Sequence, residues 1–411
     1  MIKRKINTID LFAGCGGLLD GFMQEGGYNS LACVEWEKYP CITLANRLKS
    51  KWGHKNADNE VVRFDIQRTE ELFSGFDDPE YGKNCGLDKL IGEKEVDVII
   101  GGPPCQAYSL AGRIRDANGM RDDYRNYLFE SYLKVVTHYR PKFFIFENVI
   151  GMLSAAPDGT PIVEKIQSAF DSAGYAVIDD FKNALFDVAE FGIPQHRNRV
   201  IILGVRKDAF ESKSVVDEII NDFYNFLMPK YMGKRKTVRD AISDLPPIYP
   251  SKDIIRSNGR KYSHTPISTE KILNHSPRFH SVRDQNVFSM LAEDIESGED
   301  KYTSIDTLKA LYTKITGKVS NIHKFYVLRW DEPSNTIPAH LYKDGLRHIH
   351  PDSKQARSIT VREAARLQTF ADDFEFLGPQ MAQYKMIGNA VPSGFAKIIA
   401  KALHTIINKY C

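Results

Sequence analysis

The chain has 411 residues, which is enough for two or three domains with a sizeable hydrophobic core. Hydrophobic residues make up 42% and charged residues 26%, which excludes a disordered or fibrous chain and is typical of a soluble globular protein. The formal net charge is only +2, so the overall charge does not indicate a nucleic-acid partner. The sequence has neither a signal-peptide core nor an apolar run of about 18 residues, so we expect a cytoplasmic protein.

The cysteines show no pattern of a disulfide framework or a metal site. The six stand at positions 15, 33, 41, 85, 105 and 411, without a Cys-x-x-Cys pair or the Cys/His spacing of a zinc site. The sequence therefore predicts reduced thiols and no metal. A free cysteine is most often a small buried hydrophobic side chain, so a reactive role needs support from its neighbours.

The first elements alternate between strand and helix, which is typical of an α/β fold. Residues 5–12 predict a strand, the glycine-rich residues 14–17 a turn, and residues 18–24 a helix. Glycines in such a turn let the backbone approach a ligand closely, although a plain tight turn fits this pattern equally well. Position 19 is leucine where a dinucleotide fingerprint has its third glycine, which disfavours an NAD-dependent oxidoreductase.

Two further predicted strands, residues 30–34 and 61–64, are each followed by an acidic residue. Glu35 comes about 20 positions after the glycine turn, where an acid is placed to bind a ribose diol. Trp36 beside it offers a flat face to an adenine ring. Asp65 is placed to accept a hydrogen bond from an adenine amino group. Each acid alone is also compatible with a helix cap or a solvated charge, but their positions after successive strands indicate a nucleotide-like ligand.

A rigid turn precedes the cysteine at position 105. Residues 67–95 are charged and predicted to be loop-like, and residues 96–100 then predict a buried strand. Two glycines and two prolines end this strand immediately before Cys105. A thiol at the carboxyl end of a strand lies where α/β sheets bind their ligands. The polar residues 107–123 predict a mobile active-site loop, and residues 124–138 predict a helix.

Polar residues also follow or precede two later strands. Residues 143–146 predict a buried strand that ends at Glu147, and a carboxylate in that setting tends to have a raised pKa, which suits proton donation. A paired structural carboxylate is the alternative. Alternation predicts that Gln195, Arg197 and Arg199 share one face of an extended segment. Two guanidiniums there can lower a thiol pKa and bind a polar ligand edge, or they can simply line a charged edge strand.

The composition changes after residue 206, where the alternation of strands and helices stops. Residues 230–283 carry twelve Lys and Arg but only four Asp and Glu. This local excess, interleaved with Tyr, Asn and Ser, predicts a surface that contacts a phosphate backbone, with a solvated loop face as the alternative. Residues 357–370 predict an amphipathic helix with Thr360 as its N-cap and Glu363 as the capping-box partner.

In this order, the motifs resemble those of the C5-cytosine DNA methyltransferases over nearly the whole chain. The strongest similarities are Pro103-Pro104-Cys105-Gln106 and Arg362-Glu363-Ala364-Ala365-Arg366-Leu367-Gln368, whereas the glycine turn is less specific. Further similar motifs are residues 10–17, Glu147-Asn148-Val149, Gln195-x-Arg197-x-Arg199 and Gly388-Asn389-Ala390-Val391-Pro392.

The resemblance implies an α/β, Rossmann-like fold of the S-adenosylmethionine-dependent methyltransferases, with a mostly parallel sheet and a second, smaller domain. It implies a catalytic and cofactor-binding domain over residues 1–205, completed by 379–411, and a target-recognition domain over 206–378. The implied enzyme is a DNA (cytosine-5-)-methyltransferase of a restriction–modification system. It would transfer a methyl group to carbon 5 of a flipped-out cytosine through a covalent Cys105 adduct.

The same resemblance implies the site residues and the partners. Catalysis would use Cys105, Glu147, Arg197 and Arg199, without a metal. The S-adenosyl-L-methionine site would use Phe12, Gly14, Gly16, Glu35, Trp36, Asp65, Ile66, Pro103, Leu128, Asn389 and Val391. The implied partners of a monomeric enzyme are double-stranded DNA and a separately encoded restriction endonuclease that it does not contact.

Two departures from the family pattern affect the cofactor loops. Phe64 stands where many members have glycine, and residues 67–95 are longer than a minimal member needs. A tRNA C5-methyltransferase would share Cys105 and Glu147, so these residues do not exclude it, but the long basic segment favours DNA. A catalytically inactive DNA-binding regulator is disfavoured because Cys105, Glu147 and Arg199 are all intact.

Overall fold

The structure is a computed structural model that describes residues 4–104, 128–156, 159–257, 259–319 and 324–411. Cys105 and the predicted loop at 107–123 lie outside the described residues. The chain forms two compact units. The first comprises the residues up to Phe191 together with Arg197–Lys234 and Ala390–Cys411, and the second comprises Gly192–His196 and Arg235–Asn389.

Twelve strands are present in the described residues. Those of the first unit are β1 (Ile6–Leu11), β2 (Tyr28–Glu35), β3 (Val61–Arg63), β4 (Phe76–Asp78), β5 (Gly82–Asn84), β6 (Val98–Gly101), β7 (Phe143–Val149), β8 (Tyr175–Ala176), β9 (Leu185–Asp187) and β10 (Asn198–Arg206). Those of the second unit are β11 (Ile248–Ser257) and β12 (Arg260–Pro266).

The helices connect and cover these strands. They are α1 (Gly17–Glu25), α2 (Lys38–Ser50), α3 (Ala57–Glu60), α4 (Thr69–Ser74), α5 (Leu87–Ile91), α6 (Leu128–Tyr139), α7 (Ile162–Ser172), α8 (Lys213–Asn221), α9 (Met228–Lys230), α10 (Val238–Ile242), α11 (Val282–Glu296), α12 (Ile305–Thr316), α13 (Val361–Leu367), α14 (Gln380–Asn389) and α15 (Ser393–Tyr410). A π-helical segment, Asp222–Leu227, joins α8 to α9. Short 3-10 helices occur at Ile150–Ser154, Phe181–Ala184, Val188–Phe191, Lys207–Ala209, Ala339–Tyr342 and Ser353–Gln355.

An eight-stranded sheet organises the first unit. Its strands run in the order β3-β2-β1-β6-β7-β10-β8, and β9 also pairs with β10. The pairs from β3 to β7 are parallel, and β10 is antiparallel to its neighbours. The predicted α/β fold with a mostly parallel sheet is therefore confirmed.

The strand order places two turns next to each other. The chain proceeds from β1 toward β2 on one side and from β6 toward β7 on the other, so β1 and β6 flank the point where the order reverses. In α/β sheets, ligands bind at the carboxyl ends of the strands at this point. Leu11, the last residue of β1, pairs with Gly101, the last residue of β6. The glycine turn and the turn before Cys105 therefore begin side by side.

Residues 67–95 are not the loop that their charge predicted. They form α4, the β4–β5 hairpin and α5. The physical reason is a small set of apolar anchors among the charged residues. Leu72, Phe76 and Leu87 are buried, and they hold these short elements against the rest of the unit.

The second unit combines a hairpin with helices. Strands β11 and β12 form a two-stranded antiparallel sheet. Helices α11 and α12 enclose a core that includes Phe288, Leu291 and Ile349. The predicted helix near residue 360 begins at Val361 and has the expected capping box: the Glu363 backbone N–H donates to Thr360 Oγ1 at 3.1 Å, and the Thr360 N–H donates to Glu363 Oε2 at 2.7 Å.

The division into units differs from the sequence-based domain boundaries at both ends. Residues 206–234 belong to the first unit and residues 379–389 to the second. Helix α8 packs back on the first unit through Val216 and Ile219, and Lys409 Nζ lies 3.1 Å from Glu218 Oε1. The change in composition at residue 206 marks the end of the sheet rather than the end of the unit.

Candidate active site

The turn after β6 fits closely against both neighbouring strands. A Cβ atom added at Gly101 would lie 2.5 Å from the carbonyl oxygen of Leu11, so only glycine is tolerated there. A Cβ added at Gly102 would lie 2.5 Å from Oε2 of Glu147 and would displace that carboxylate. Pro103 is buried beyond them. The backbone just before Cys105 is therefore held against β1 and against the side chain of Glu147.

Glu147 and Arg199 form an ion pair between the antiparallel strands β7 and β10. Arg199 lies opposite Val149 and Glu147 opposite Ile201, so the two side chains are diagonal neighbours on one face of the sheet. Arg199 Nε lies 2.6 Å from Glu147 Oε1, and the two side chains are 11% and 12% exposed. Strand β7 continues through Val149, so Glu147 lies within the strand. The carboxylate has an arginine partner where the sequence suggested an apolar setting.

Arg197 adds a second buried guanidinium to this group. Its Nη2 donates to the carbonyl oxygen of Ala390 at 3.0 Å, and its backbone N–H donates to Asp187 Oδ1 at 3.1 Å. Burial lowers the pKa of Arg197 and the positive charge of Arg199 lowers it further. Burial also lowers the pKa of Arg199, where the charge of Glu147 acts in the opposite direction. Two cations and one anion thus interact inside the first unit.

Gln195 belongs to the second unit, whereas Arg197 and Arg199 belong to the first. Strand β10 begins only at Asn198, after Gln195. In the second unit Gln195 is fully buried, with Nε2 donating to Gln368 Oε1 at 3.0 Å and Oε1 accepting from the Ile337 N–H at 2.8 Å. The Gln195 side chain therefore fixes backbone and side chains within the second unit.

The glycine turn after β1 holds the carboxylate of Glu35. Phe12 and Gly14 have positive φ angles of 56° and 57°, a conformation that glycine adopts freely and other residues rarely adopt. Glu35 Oε2 accepts a hydrogen bond from the Gly14 N–H at 2.9 Å. Glu35 Oε1 accepts two more from the backbone amides that follow it, at 2.9 and 2.8 Å. The carboxylate is thereby fixed beside the turn.

The space over the turn is open. A Cβ added at Gly14 would have no atom within 4 Å, whereas one added at Gly16 would meet the Leu44 side chain at 2.5 Å. Trp36 is 51% exposed, so the face of its ring is available to a ligand. The Asp65 carboxylate accepts a hydrogen bond from the Gln67 N–H at 3.0 Å.

The other predicted cofactor residues differ in their surroundings. Ile66, Pro103, Leu128 and Val391 are buried in the first unit. Asn389 is the last residue of α14, is exposed and belongs to the second unit. Their roles in binding a ligand stay predictions.

Asp10 is a polar group of this region to which the sequence pattern assigned no role. It is buried near the end of β1, and its Oδ2 has no hydrogen-bond partner among the described residues. Burial raises the pKa of Asp10, and the negative charge of Glu35 raises it further. Burial also raises the pKa of Glu35, partly offset by its backbone hydrogen bonds. An acid between the apolar residues Ile9 and Leu11 was the available signal.

Three cysteines of the first unit are unsuited to nucleophilic chemistry. Cys15, Cys33 and Cys41 are buried. Burial raises the pKa of all three thiols, which keeps them protonated and unreactive.

Two further features are absent from the described part of the chain. No group of three or more His, Cys, Asp or Glu side chains there is arranged to hold a metal ion. None of the helices described above combines the length and the apolar character needed to cross a membrane.

Comparison with known sequences identifies the family. The profile of the C-5 cytosine-specific DNA methylases matches residues 6–405. The type II methyltransferase M.Bpa9945I of Bacillus paralicheniformis is 33% identical to this chain, over 98% of the chain and 99% of its own length. The type II methyltransferase M1.HphI of Haemophilus parahaemolyticus is 31% identical, over 97% of the chain and 86% of its own length.

Solved structures share the fold. A prophage-encoded protein of E. coli, described as a DNA modification methyltransferase, has a TM-score of 0.64 at 24% identity, covering 98% of this chain and 100% of its own. The Dnmt2 methyltransferase of S. pombe has a TM-score of 0.54 at 14% identity, covering 99% of each chain. At these low sequence identities the solved structures show only a shared fold. The family profile matches residues 6–405 and shows the family. The chain therefore belongs to the C-5 cytosine-specific DNA methylase family and is a DNA (cytosine-5-)-methyltransferase.

Proposed function

We propose that this enzyme is the modification half of a type II restriction–modification system and methylates one short duplex sequence through a covalent Cys105–cytosine adduct. The observation that carries the proposal is the ion pair of Glu147 and Arg199, 2.6 Å apart. It lies beside Gly102, in the turn that leads to Cys105. Attack of a thiol on a pyrimidine ring requires a carboxyl group and a guanidinium that stabilise the charge on the ring.

Cys105 activates carbon 5 of the cytosine for methyl transfer. Carbon 5 of cytosine is a poor nucleophile, but a thiolate that adds to carbon 6 breaks the aromaticity of the ring and makes carbon 5 enamine-like. Cysteine suits this step because it is the side chain most nucleophilic near neutral pH. Removal of the proton from carbon 5 later lets the Cys105 thiolate leave.

The charged group around Glu147 offsets the charge that this attack creates. Addition at carbon 6 moves negative charge onto the ring, and a hydrogen bond or proton at N3 must stabilise it. Glu147 supplies that interaction after it takes up a proton from solvent, because only the protonated carboxyl group can donate to N3. Arg199 orients Glu147 and donates to O2 of the base. Arg197, fixed by the Ala390 carbonyl, contributes positive charge that favours the thiolate form of Cys105.

The residues around the glycine turn fit S-adenosylmethionine. This ligand carries a sulfonium and an ammonium group, and such cations stabilise the ionised forms of Asp10 and Glu35, whose pKa values are raised in its absence. Glu35 retains acceptor capacity for the ribose hydroxyls, and the exposed face of Trp36 suits the adenine ring. When bound, the ligand supplies an electrophilic methyl group to carbon 5.

The DNA substrate must be distorted before this chemistry begins. The target carbon lies inside the base stack, so the cytosine has to be flipped out, at a cost of a few kcal/mol that protein–DNA contacts offset. We assign sequence recognition to the second unit, because it contains most of the basic segment at residues 230–283. The enzyme acts on the DNA of its own cell, in the cytoplasm, as a monomer, and its cognate endonuclease is encoded separately.

The β11–β12 hairpin is the element of the second unit best suited to enter the major groove, which admits a two-stranded ribbon. Its base is buried: Ile248 donates its N–H to Gln355 Oε1 at 3.0 Å, and His264 Nε2 lies 2.9 Å from the Gln355 carbonyl oxygen. By contrast, all five residues from 252 to 256 are exposed, so both faces of the strand reach solvent there.

Charge supports the same assignment of the hairpin. Arg256 lies directly opposite Lys261 in the register of the two strands, and both are exposed. Like charges directly opposite each other destabilise a hairpin, unless an anion such as a phosphate lies between them. Ile254 and Ile255 beside them are 55% and 42% exposed and offer apolar contacts to thymine methyl groups.

Methylation mapping tests the proposed function. The chain is expressed in a host that lacks cytosine methylation, and the host genome is sequenced after bisulfite treatment alongside a Cys105→Ala control. We expect protected cytosines in one short sequence context, absent from the control. Protection in the control, or methyl transfer to tRNA with none to DNA, would overturn the assignment. A genomic neighbourhood without an endonuclease would remove the restriction–modification role.

A further inference from the structure

The segment between β3 and β6 is a part of the first unit that the mechanism does not use. We define the brace as residues 67–95, which contain α4, the β4–β5 hairpin and α5. We propose that the brace positions the adenine-binding residues, acting through Arg63 and Phe64 on Trp36 and Asp65. This inference rests on the proposed S-adenosylmethionine site and assigns a role to a segment whose sequence carries no motif.

Arg63 links the brace directly to Trp36. It is the last residue of β3, and its Nε donates to the carbonyl oxygen of Trp36 at 3.2 Å. The same guanidinium donates from Nη1 to the carbonyl oxygen of Glu80 at 2.7 Å and lies over the ring of Tyr81, 5.1 Å from its centroid. One side chain thus ties the backbone at the exposed tryptophan to the turn of the β4–β5 hairpin.

Phe64 links the brace to Asp65. Its ring is buried and stacks on Phe76 of β4, with centroids 3.8 Å apart and planes at 14°. Tyr81 contacts the same ring edge-on at 5.3 Å. The backbone N–H of Phe64 donates to the Glu35 carbonyl oxygen at 3.0 Å. A phenylalanine at this position is therefore stabilised by the brace, and it fixes the chain that leads into Asp65.

Arg68 provides a third link between the brace and Asp65. Its backbone N–H donates to the Asp65 carbonyl oxygen at 3.1 Å. Its guanidinium lies over the Phe64 ring at 4.6 Å and pairs with Asp78 Oδ2 at 2.7 Å. The other oxygen of Asp78 accepts from the backbone amides of residues 80 and 81 at 2.8 and 3.1 Å, which shapes the hairpin turn. Asp65 is thus held on both sides by residues that the hairpin anchors.

The brace is itself attached to α6. Phe73 stacks on the ring of His138, with centroids 3.9 Å apart and planes at 11°. Asp88 Oδ1 accepts from the Tyr139 hydroxyl at 2.7 Å and lies 2.8 Å from His138 Nε2. Helix α6 also contains Leu128, another predicted cofactor residue. The brace therefore connects two parts of the proposed binding site that are distant in sequence.

The test distinguishes positioning of Trp36 and Asp65 by the brace from a general effect on the stability of the fold. Titration calorimetry with S-adenosylhomocysteine, the reaction product, measures affinity for the full chain. We expect Arg63→Ala to raise the Kd about five- to ten-fold, while kcat at saturating S-adenosylmethionine stays within about two-fold. Arg63→Lys can replace only one of the two hydrogen bonds and should lie between Arg63→Ala and the wild type. Phe76→Leu, which keeps apolar volume but removes the stack on Phe64, should raise the Kd about two- to four-fold.

Glu80→Ala is the matched control. It removes the ion pair with Arg63, 3.6 Å long and with Glu80 68% exposed, but leaves the backbone carbonyl that Arg63 binds. We therefore expect an unchanged Kd. A wild-type Kd in both Arg63→Ala and Phe76→Leu, or an equal loss in Glu80→Ala and Arg63→Ala, would overturn the role of the brace. A wild-type chain that fails to bind the probe would instead overturn the proposed cofactor site itself.

Discussion

The glycine turn of the first unit and one ion pair of the second unit bury ionisable groups in different ways. In the first unit, Asp10 and Glu35 lie at the glycine turn with raised pKa values, and Asp10 Oδ2 has no partner among the described residues. In the second unit, Glu363 is paired at both oxygens with Arg357, at 2.6 and 2.7 Å. Although burial alone would raise the pKa of Glu363, Arg357 holds it well below its ordinary value. The glycine turn leaves a buried carboxylate oxygen without a partner among the described residues, whereas both oxygens of Glu363 are paired.

Buried histidines extend this contrast. Four in the second unit have partners within it or pack among its buried groups, and burial lowers their pKa values to about 4 for His264 and about 3 for His280, His348 and His350. They are neutral structural groups at pH 7. The comparison teaches that unused hydrogen-bonding capacity, rather than burial or charge alone, distinguishes a ligand site from a structural network.

The largest expected effect is the loss of the nucleophile in the first unit. Cys105→Ala should abolish turnover, because no other group forms the carbon 6 adduct, while binding of S-adenosylhomocysteine stays unchanged. Methyl transfer to DNA and calorimetry measure the two properties in the same preparation. Loss of product binding in this variant would assign Cys105 to the cofactor site and remove the distinction between chemistry and binding.

The second-largest effect is expected at the ion pair of Glu147 and Arg199, which we assign to catalysis. Glu147→Gln keeps the size and a hydrogen bond to Arg199 but removes the acid, so kcat should fall about 100- to 10,000-fold. The Kd for duplex DNA should change much less. Single-turnover kinetics and DNA titrations provide the test, and equal losses in both would make Glu147 a structural residue like Glu363.

Breaking the buried ion pair of Glu363 and Arg357 should destabilise the second unit. Glu363→Ala leaves the buried guanidinium of Arg357 uncompensated, so the free energy of unfolding should fall by about 3–5 kcal/mol. Arg239→Ala is the control: it removes an ion pair with Asp331 whose side chains are 52% and 81% exposed, and it should cost under about 1 kcal/mol. Urea denaturation compares them. Similar losses would show that burial does not set the energetics of these pairs.

Acid should act on the units in opposite directions. The histidine pKa values are lowered in the folded chain, so their contribution is complete above about pH 6.5 and is lost as pH falls toward 4. At pH 5 the second unit should lose about 2 kcal/mol or more. Asp10 and Glu35 have raised pKa values, so their protonation favours the folded first unit.

Tryptophan fluorescence can separate these responses. Trp52 lies in the first unit and Trp330 in the second. In variants that retain one of these residues, urea unfolding at pH 7.5 and pH 5 should shift the Trp330 transition far more than the Trp52 transition. Equal shifts would mean that the two units do not differ in their response to pH.

The smallest effect is expected at the hairpin tip. Lys261→Ala should weaken DNA binding a few-fold for every sequence and reduce the salt dependence by about one phosphate contact. Ile255→Ala should instead alter the preferred sequence context with little change in salt dependence. A Lys261→Ala variant with unchanged DNA affinity would place the recognition surface elsewhere in the second unit.

Local chemistry explains which features the sequence predicted. The strand ends at Glu35 and Gly101, the sheet class and the capping box of Thr360 and Glu363 follow from short-range patterns, which a sequence displays directly. The Arg-Glu-Ala-Ala-Arg-Leu-Gln motif is as distinctive as Pro-Pro-Cys-Gln, yet Arg362 donates to three backbone carbonyl oxygens at 2.7 to 3.0 Å and is structural. A distinctive sequence motif can therefore contain structural residues as well as catalytic ones.

Other features depend on contacts between residues far apart in sequence. The partner of Glu147 is Arg199, 52 positions later, and only the antiparallel register of β7 and β10 makes them neighbours. The sequence did not predict the helices and strands of the brace, because only a few apolar residues, such as Phe76, stand among many charged ones. The partners of Gln195, Ile337 and Gln368, likewise lie 142 and 173 positions later, so a local sequence pattern cannot reveal them.

The central claim is that Cys105 attacks carbon 6 of the target cytosine. The most direct measurement uses a duplex with 5-fluorocytosine at the mapped target position, incubated with the enzyme and S-adenosylmethionine. Fluorine cannot leave carbon 5 as a proton does, so the adduct should persist. We predict one denaturant-resistant protein–DNA complex, cross-linked through the peptide that contains Cys105. A cross-link at another residue, or none from an enzyme that methylates unmodified cytosine, would contradict the account.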